Sequence, residues 1–120
     1  MYTFGVTYKF AAFVEDSHSP TLLNRSEYEV SFVFKNAVVS SKDTIINTSD
    51  IDELNECIYN DLNDSILNEL MEENPTLECL AKFIFEKLNR KIWQLNSVQI
   101  KNENKFAIYE PDINHGIIEK

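Results

Sequence analysis

The stretch NPTLECLAKFIFEKLN, residues 74–89, decides how this chain is read. Leu77, Leu80, Ala81, Ile84 and Leu88 fall on one stripe at helical spacing, and Phe85 widens it. Asn74 reads as the N-cap, with Pro75 at the first helical position, where its missing N–H costs nothing. The basic residues Lys87, Arg90 and Lys91 gather at the other end, where they complement the helix dipole. The stripe is wide enough to cover a sheet, so strands are expected on either side.

Upstream, Tyr2, Phe4, Val6, Tyr8 and Phe10 alternate with smaller or more polar residues, the period of a half-buried strand. Residues 15–25 are polar, hold Pro20 and read as a loop. Tyr28, Val30, Phe32 and Phe34 alternate again and make a second strand, continuing in broken form through residues 37–39. A short apolar piece follows at residues 44–46. Asp50 is the expected N-cap of a first helix, in which Ile51, Leu54, Ile58 and Leu62 recur at helical spacing. Residues 60–74 are rich in Asn, Asp and Glu and form a connection around Ile66, Leu67 and Leu70. Downstream of the decisive helix, residues 98–100 and 106–109 alternate across residues 101–105, KNENK, as a hairpin. The order strand, strand, helix, helix, strand, strand predicts an α+β domain: a four-stranded antiparallel sheet with both helices on one face. It occupies residues 1–120 as a single domain, with 110–120 as a tail.

Composition narrows function by exclusion. The 120 residues are 43% hydrophobic and carry a net charge of −9, which repels phosphate backbones and anionic membranes. No nucleic-acid or membrane partner is expected. There is no apolar run of membrane-spanning length and no signal-peptide pattern in residues 1–10, so the reading is cytoplasmic. Only two glycines, Gly5 and Gly116, are present, which excludes a glycine-rich phosphate loop. Cys57 and Cys79 lie in helical patterns and read as reduced, buried thiols.

Several short motifs carry a resemblance: Phe10-Ala11-Ala12, the segment from Leu23 to Tyr28, Leu67-Asn68, Pro75-Thr76 with Glu78 and Leu80-Ala81, and Ala107 with Tyr109. In this order the chain resembles the 6-pyruvoyl-tetrahydropterin synthase / 6-carboxytetrahydropterin synthase family, the tunnelling fold. The resemblance implies sheets joined edge to edge into a barrel, as a homo-oligomeric trimer or hexamer. Closure would also remove the open edges of a lone four-stranded sheet.

The resemblance also implies chemistry that these residues lack. Family enzymes hold zinc through three histidines, leaving a position open for substrate. The matching positions are Phe13, Asn24 and Ser26, which are no zinc site. No thiol stands where the family has its active-site cysteine, and the catalytic Asp-His pair matches Asn63 and Asp64. The pterin-anchoring glutamate aligns with Asn102, or with Glu103 after a slip of one. Glu103 is thus a candidate for the N–H edge of a pterin or purine, although a solvated turn residue in KNENK is the more ordinary explanation. Thr76 is a weaker ligand-binding candidate, and a polar first helical turn accounts for it. Asp64 and His18 are the weak catalytic candidates. His18 with Glu15 and Asp16 is the only other metal-ligating set, and ordinary loop residues account for all three. His115 lies in the unplaced tail.

The expectation is therefore a zinc-free, cofactor-free and catalytically inactive relative. It would serve as a structural or interaction subunit, or bind a pterin or purine. The alternative is a metal-free enzyme on such a heterocycle, with Asp64, Glu103 or His18 as base. An unrelated α+β interaction domain is the third reading, which a monomer in solution would favour.

Overall fold

A computed structural model describes residues 2–16, 18, 19, 21–36 and 48–111. The expected continuations at residues 37–39 and 44–46, the tail after residue 111 and His115 lie outside the described residues. Strands β1 (Tyr2–Glu15), β2 (Leu23–Asn36), β3 (Leu95–Asn102) and β4 (Lys105–Tyr109) form one antiparallel sheet in the order β1-β2-β3-β4. Between the two hairpins run α1 (Thr48–Glu56), a π-helical turn (Cys57–Leu62), a short α2 (Leu67–Leu70) and α3 (Leu77–Asn89). The α+β architecture predicted from periodicity is the one observed, with a short extra helix inside the expected connection.

Alternation sets the layers. Phe10, Tyr28, Val30, Phe32, Phe34, Val98 and Ile100 share one face of the sheet and are buried. On that face they meet Leu80, Ala81, Ile84, Phe85 and Leu88 of α3, together with Leu54, Ile58 and Leu62. The opposite face carries the polar Thr7, Ser31, Lys9, Glu29 and Lys101 on β1 to β3 and the exposed Phe106 and Ile108 on β4.

Several boundaries differ from the sequence reading. Helix α3 begins two residues late: Thr76, not Asn74, is the N-cap, and its hydroxyl accepts the Cys79 N–H at 3.2 Å. A threonine oxygen can satisfy an orphan amide directly, a contribution of about 1 kcal/mol. Asp50 is not the cap of α1 but sits in its first turn, because Thr48 is already helical. The strands outrun their alternating cores: β1 reaches Glu15 and β2 starts at Leu23, so the first loop is shorter than residues 15–25. Likewise Lys101, Asn102 and Lys105 belong to strands, leaving Glu103 and Asn104 as a two-residue turn.

Cys57 is buried at 2% exposure, and Cys79 is half-buried; both are free thiols. Burial pushes the Cys57 thiol up to about 12 from 9.0, with Lys87 opposing the shift and Asp61 adding to it. The folded state therefore keeps a proton that the unfolded chain releases above pH 9. Stability from this group is complete below that point and is lost as pH rises toward 12. At about pH 10.5 the loss should be roughly 2 kcal/mol. Tyr8 and Tyr28, both raised by burial, act in the same direction. Urea unfolding of wild type and Cys57→Ala across this range isolates the thiol. Identical pH slopes for the two proteins would refute its role.

Candidate functional site

An open groove of about 730 Å³ lies where β1, β2 and β3 meet the β3–β4 turn. Three basic side chains, Lys9, Arg25 and Lys101, and three acidic ones, Glu27, Glu29 and Glu103, line it. Register explains the mixture. Lys9 lies opposite Glu29, and Glu29 lies opposite Lys101, so these charges form one row across three strands. Sequence alone does not reveal such a row, since it requires the pairing of three distant segments. Arg25 meets Glu27 at 3.2 Å, a solvated pair of little energetic weight.

The polar groove residues are tied to the fold. Ser26 hydrogen-bonds the Tyr28 phenol, whose pKa burial raises and this contact lowers. The Asn102 amide donates to the Glu27 carbonyl at 2.8 Å. Asn63 Oδ1 accepts the Ala11 N–H at 3.0 Å, and the Asp64 N–H donates to the Ala11 carbonyl at 2.7 Å. The Phe13 N–H reaches the Ser65 carbonyl at 2.8 Å, and Asn68 Oδ1 accepts from the Glu15 N–H at 2.8 Å. Residues 63–68 thus act as a substitute strand along the outer edge of β1. The π-helical turn delivers them there, closing with the Asn63 N–H on the Ile58 carbonyl at 2.8 Å.

The structure brings together Ser26, Asn63, Asn102 and Glu103 and leaves the other candidates apart. Asp64 is exposed outside the groove lining, with φ at 62°. His18 is exposed in the β1–β2 turn, where its backbone N–H donates to Asp16 Oδ1 at 2.8 Å. That bond, followed by one from Asn24, lowers the Asp16 pKa. Thr76 caps α3 and does not line the groove. Asn24 pairs with Val14 and Ser26 with Ala12, so Asn24 and Ser26 share one face of the hairpin. Phe13 pairs with Arg25 on the other face. Of Phe13 and Val14, the side chain that shares a face with Asn24 and Ser26 is therefore that of Val14.

Zinc does not fit these residues. Phenyl and isopropyl groups cannot ligate, and neutral amide and hydroxyl groups ligate poorly. Among the described residues no three or more His, Cys, Asp or Glu side chains are grouped so that they could hold a metal ion.

Glu103 stands out for its backbone. Its φ of 56° lies in the left-handed region, which a primed two-residue hairpin turn requires and which a Cβ disfavours. Glu103→Gly should raise stability by about 0.5–1 kcal/mol after the entropy cost of glycine is offset. Thermal unfolding checks this, and destabilisation would mean that the side chain supports the turn.

A model of the family described as "6-pyruvoyl tetrahydropterin synthase" matches residues 26–112. The fold is similar to that of 6-pyruvoyl tetrahydropterin synthase from Caenorhabditis elegans, with a TM-score of 0.75 at 16% identity, covering 92% of this chain and 96% of that one. It is also similar to an uncharacterized protein from Wolinella succinogenes, with a TM-score of 0.71 at 11% identity, covering 92% and 98%. At such identities the two structures speak to the fold alone, while the family match spans most of the sequence, β2 through β4, and includes the Ser26, Asn63, Asn102 and Glu103 of the groove. This chain belongs to the 6-pyruvoyl tetrahydropterin synthase family.

Proposed function

We propose that this chain is a zinc-free, non-catalytic member of the family that assembles as a ring of three subunits or a pair of such rings. Its groove holds a polar heterocycle of the pterin or purine class. The observation that supports this most is the engagement of the groove's polar side chains. Ser26, Asn63 and Asn102 each serve a hydrogen bond within the fold. Among the described residues Glu103 makes no hydrogen bond or ion pair, so its carboxylate is available to accept from ring N–H groups. Asp64 and His18 lie outside the groove lining, so neither stands ready as a base for a ligand bound there. No described helix is long and apolar enough to cross a membrane. The two free thiols fit a reducing compartment, and we place the protein in the cytoplasm.

Native mass spectrometry of protein purified without chelator tests the whole reading. The expected result is a trimer or hexamer without stoichiometric zinc. It should gain the mass of a pterin or guanine when either is supplied, and Glu103→Gln should weaken that gain about tenfold, the loss of roughly one charged hydrogen bond. Stoichiometric zinc would overturn the proposal, and so would turnover of a reduced pterin. The metal-free enzyme is favoured by the same observation, the free Glu103 carboxylate. Turnover that disappears in Glu103→Gln while binding persists would select it.

A further inference from the structure

Trp93 is the only tryptophan of the chain and, among the described residues, the most exposed large hydrophobic side chain, at 80%. Tryptophan is highly buried on average, so this exposure is informative. The turn between α3 and β3 holds the residue outward. Ile92 and Leu95, on either side of it, are buried in the core. The Ile92 N–H donates to the Leu88 carbonyl at 2.8 Å, and the Leu95 N–H to the Ile92 carbonyl at 3.1 Å. The indole is thus presented from a turn anchored at both ends.

The surface beside it is basic. Lys87, Arg90 and Lys91, three of the eleven basic residues, lie within five positions of one another. Lys87 pairs with Asp61 at 3.5 Å and Lys91 with Glu53 at 3.3 Å. Among the described residues Arg90 makes no hydrogen bond or ion pair. A long polyanion or a flat anionic membrane would also meet the Glu53 and Asp61 carboxylates. The surface instead fits a short segment that brings one acidic and one apolar side chain. Tryptophan and arginine are the side chains that most often anchor such contacts.

The path of the chain supplies a segment of that kind. Tyr109, the last residue of β4, pairs with Val98. Two residues further along the same register, Pro111 falls beside Asn96. In agreement, the Asn96 amide donates to the Glu110 carboxylate at 3.3 Å, and the Lys35 ammonium lies 3.9 Å from that carboxylate. From Asn96 back to Trp93 is three positions, about 10 Å of extended chain. Residues 112–120, DINHGIIEK, lie outside the described residues and carry Ile113, Ile117 and Ile118, with Asp112 and Glu119 against a single Lys120. Such a length can reach about 30 Å. A tethered segment also has a millimolar effective concentration, which lets a modest contact form.

We propose that Trp93 and Arg90 form a docking surface for residues 112–120, with isoleucine side chains over the indole and a carboxylate on the guanidinium. The surface lies at the end of β3 opposite the groove, so it is independent of the ligand-binding reading.

Acrylamide quenching of the Trp93 emission tests this, since no other tryptophan contributes. Deleting residues 112–120 should raise the quenching constant about twofold or more, the change expected when the segment covers the ring at least half of the time. The far-UV circular dichroism spectrum should not change. Ile113→Ser, Ile117→Ser and Ile118→Ser combined keep length and charge and should raise quenching similarly. Arg90→Gln should raise it less, and added salt should act in the same direction. Equal quenching in the full and shortened chains would overturn the proposal, and a value that then rises on dilution would assign the surface to a second copy. A deletion that raises quenching while the triple serine variant does not would refute the isoleucine contact.

Discussion

Val14→His, Asn24→His and Ser26→His combined are expected to create one zinc site per chain with a dissociation constant of about 1 μM or tighter. Val14 lies directly opposite Asn24, and Ser26 follows two residues along the same strand. Opposite Cβ atoms on one face are about 5 Å apart, and next-but-one residues about 7 Å, so three imidazoles can converge on one ion. Starting from no ligands, that is a gain of about 8 kcal/mol in binding. Because the unfolded chain holds no such site, zinc at 100 times its dissociation constant should add about 2.7 kcal/mol of stability. The informative control replaces Val14→His with Phe13→His. That imidazole would project from the opposite face, beside Arg25, and the zinc-dependent rise in melting temperature should vanish. A Phe13 variant that binds as well as the Val14 variant would show that the hairpin register is wrong.

Phe32→Ala should cost about 3–5 kcal/mol, a large part of the 5–15 kcal/mol that holds an ordinary domain together. Phe32 is fully buried on the inner strand β2, between Val6 of β1 and Val98 of β3. Its ring meets Tyr8 edge-on at 5.9 Å, a contact the substitution also removes. The remaining cavity would border the helical layer, which cannot collapse into it without disturbing the sheet. Urea unfolding measures the loss, and a value below about 1 kcal/mol would mean that the core repacks freely. Phe106→Ala is the useful contrast. The same side chain is removed from a site 60% exposed, so the subunit should lose little stability.

The elements were legible wherever one face is buried. Leu80, Ile84 and Leu88 show the helical period because α3 presents one stripe to the sheet, and Val30, Phe32 and Phe34 show period two for the matching reason. The ends were less legible. The last residues of β1 alternate poorly, and what holds them extended is pairing with β2 on one side and hydrogen bonds to residues 63–68, some fifty positions away, on the other. The choice between Asn74 and Thr76 as the cap of α3 was equally closed to inspection, since both side chains cap helices well.

The candidate site divides in the same way. From the sequence came the absence of histidine at Asn24 and Ser26, a matter of side-chain identity that no fold can change. The sequence also set the layer order, because hydrophobic period dictates which face of each element is buried. The tertiary structure decided which of the polar survivors meet. It brought Glu103 to Ser26, Asn63 and Asn102, left Asp64, His18 and Thr76 outside, and aligned Lys9, Glu29 and Lys101 in one row. It also showed that Phe13 faces away from Asn24 and Ser26. In a strand a shift of one residue reverses the face, so a motif that fixes position only to within one residue leaves that choice to the hydrogen-bonded register.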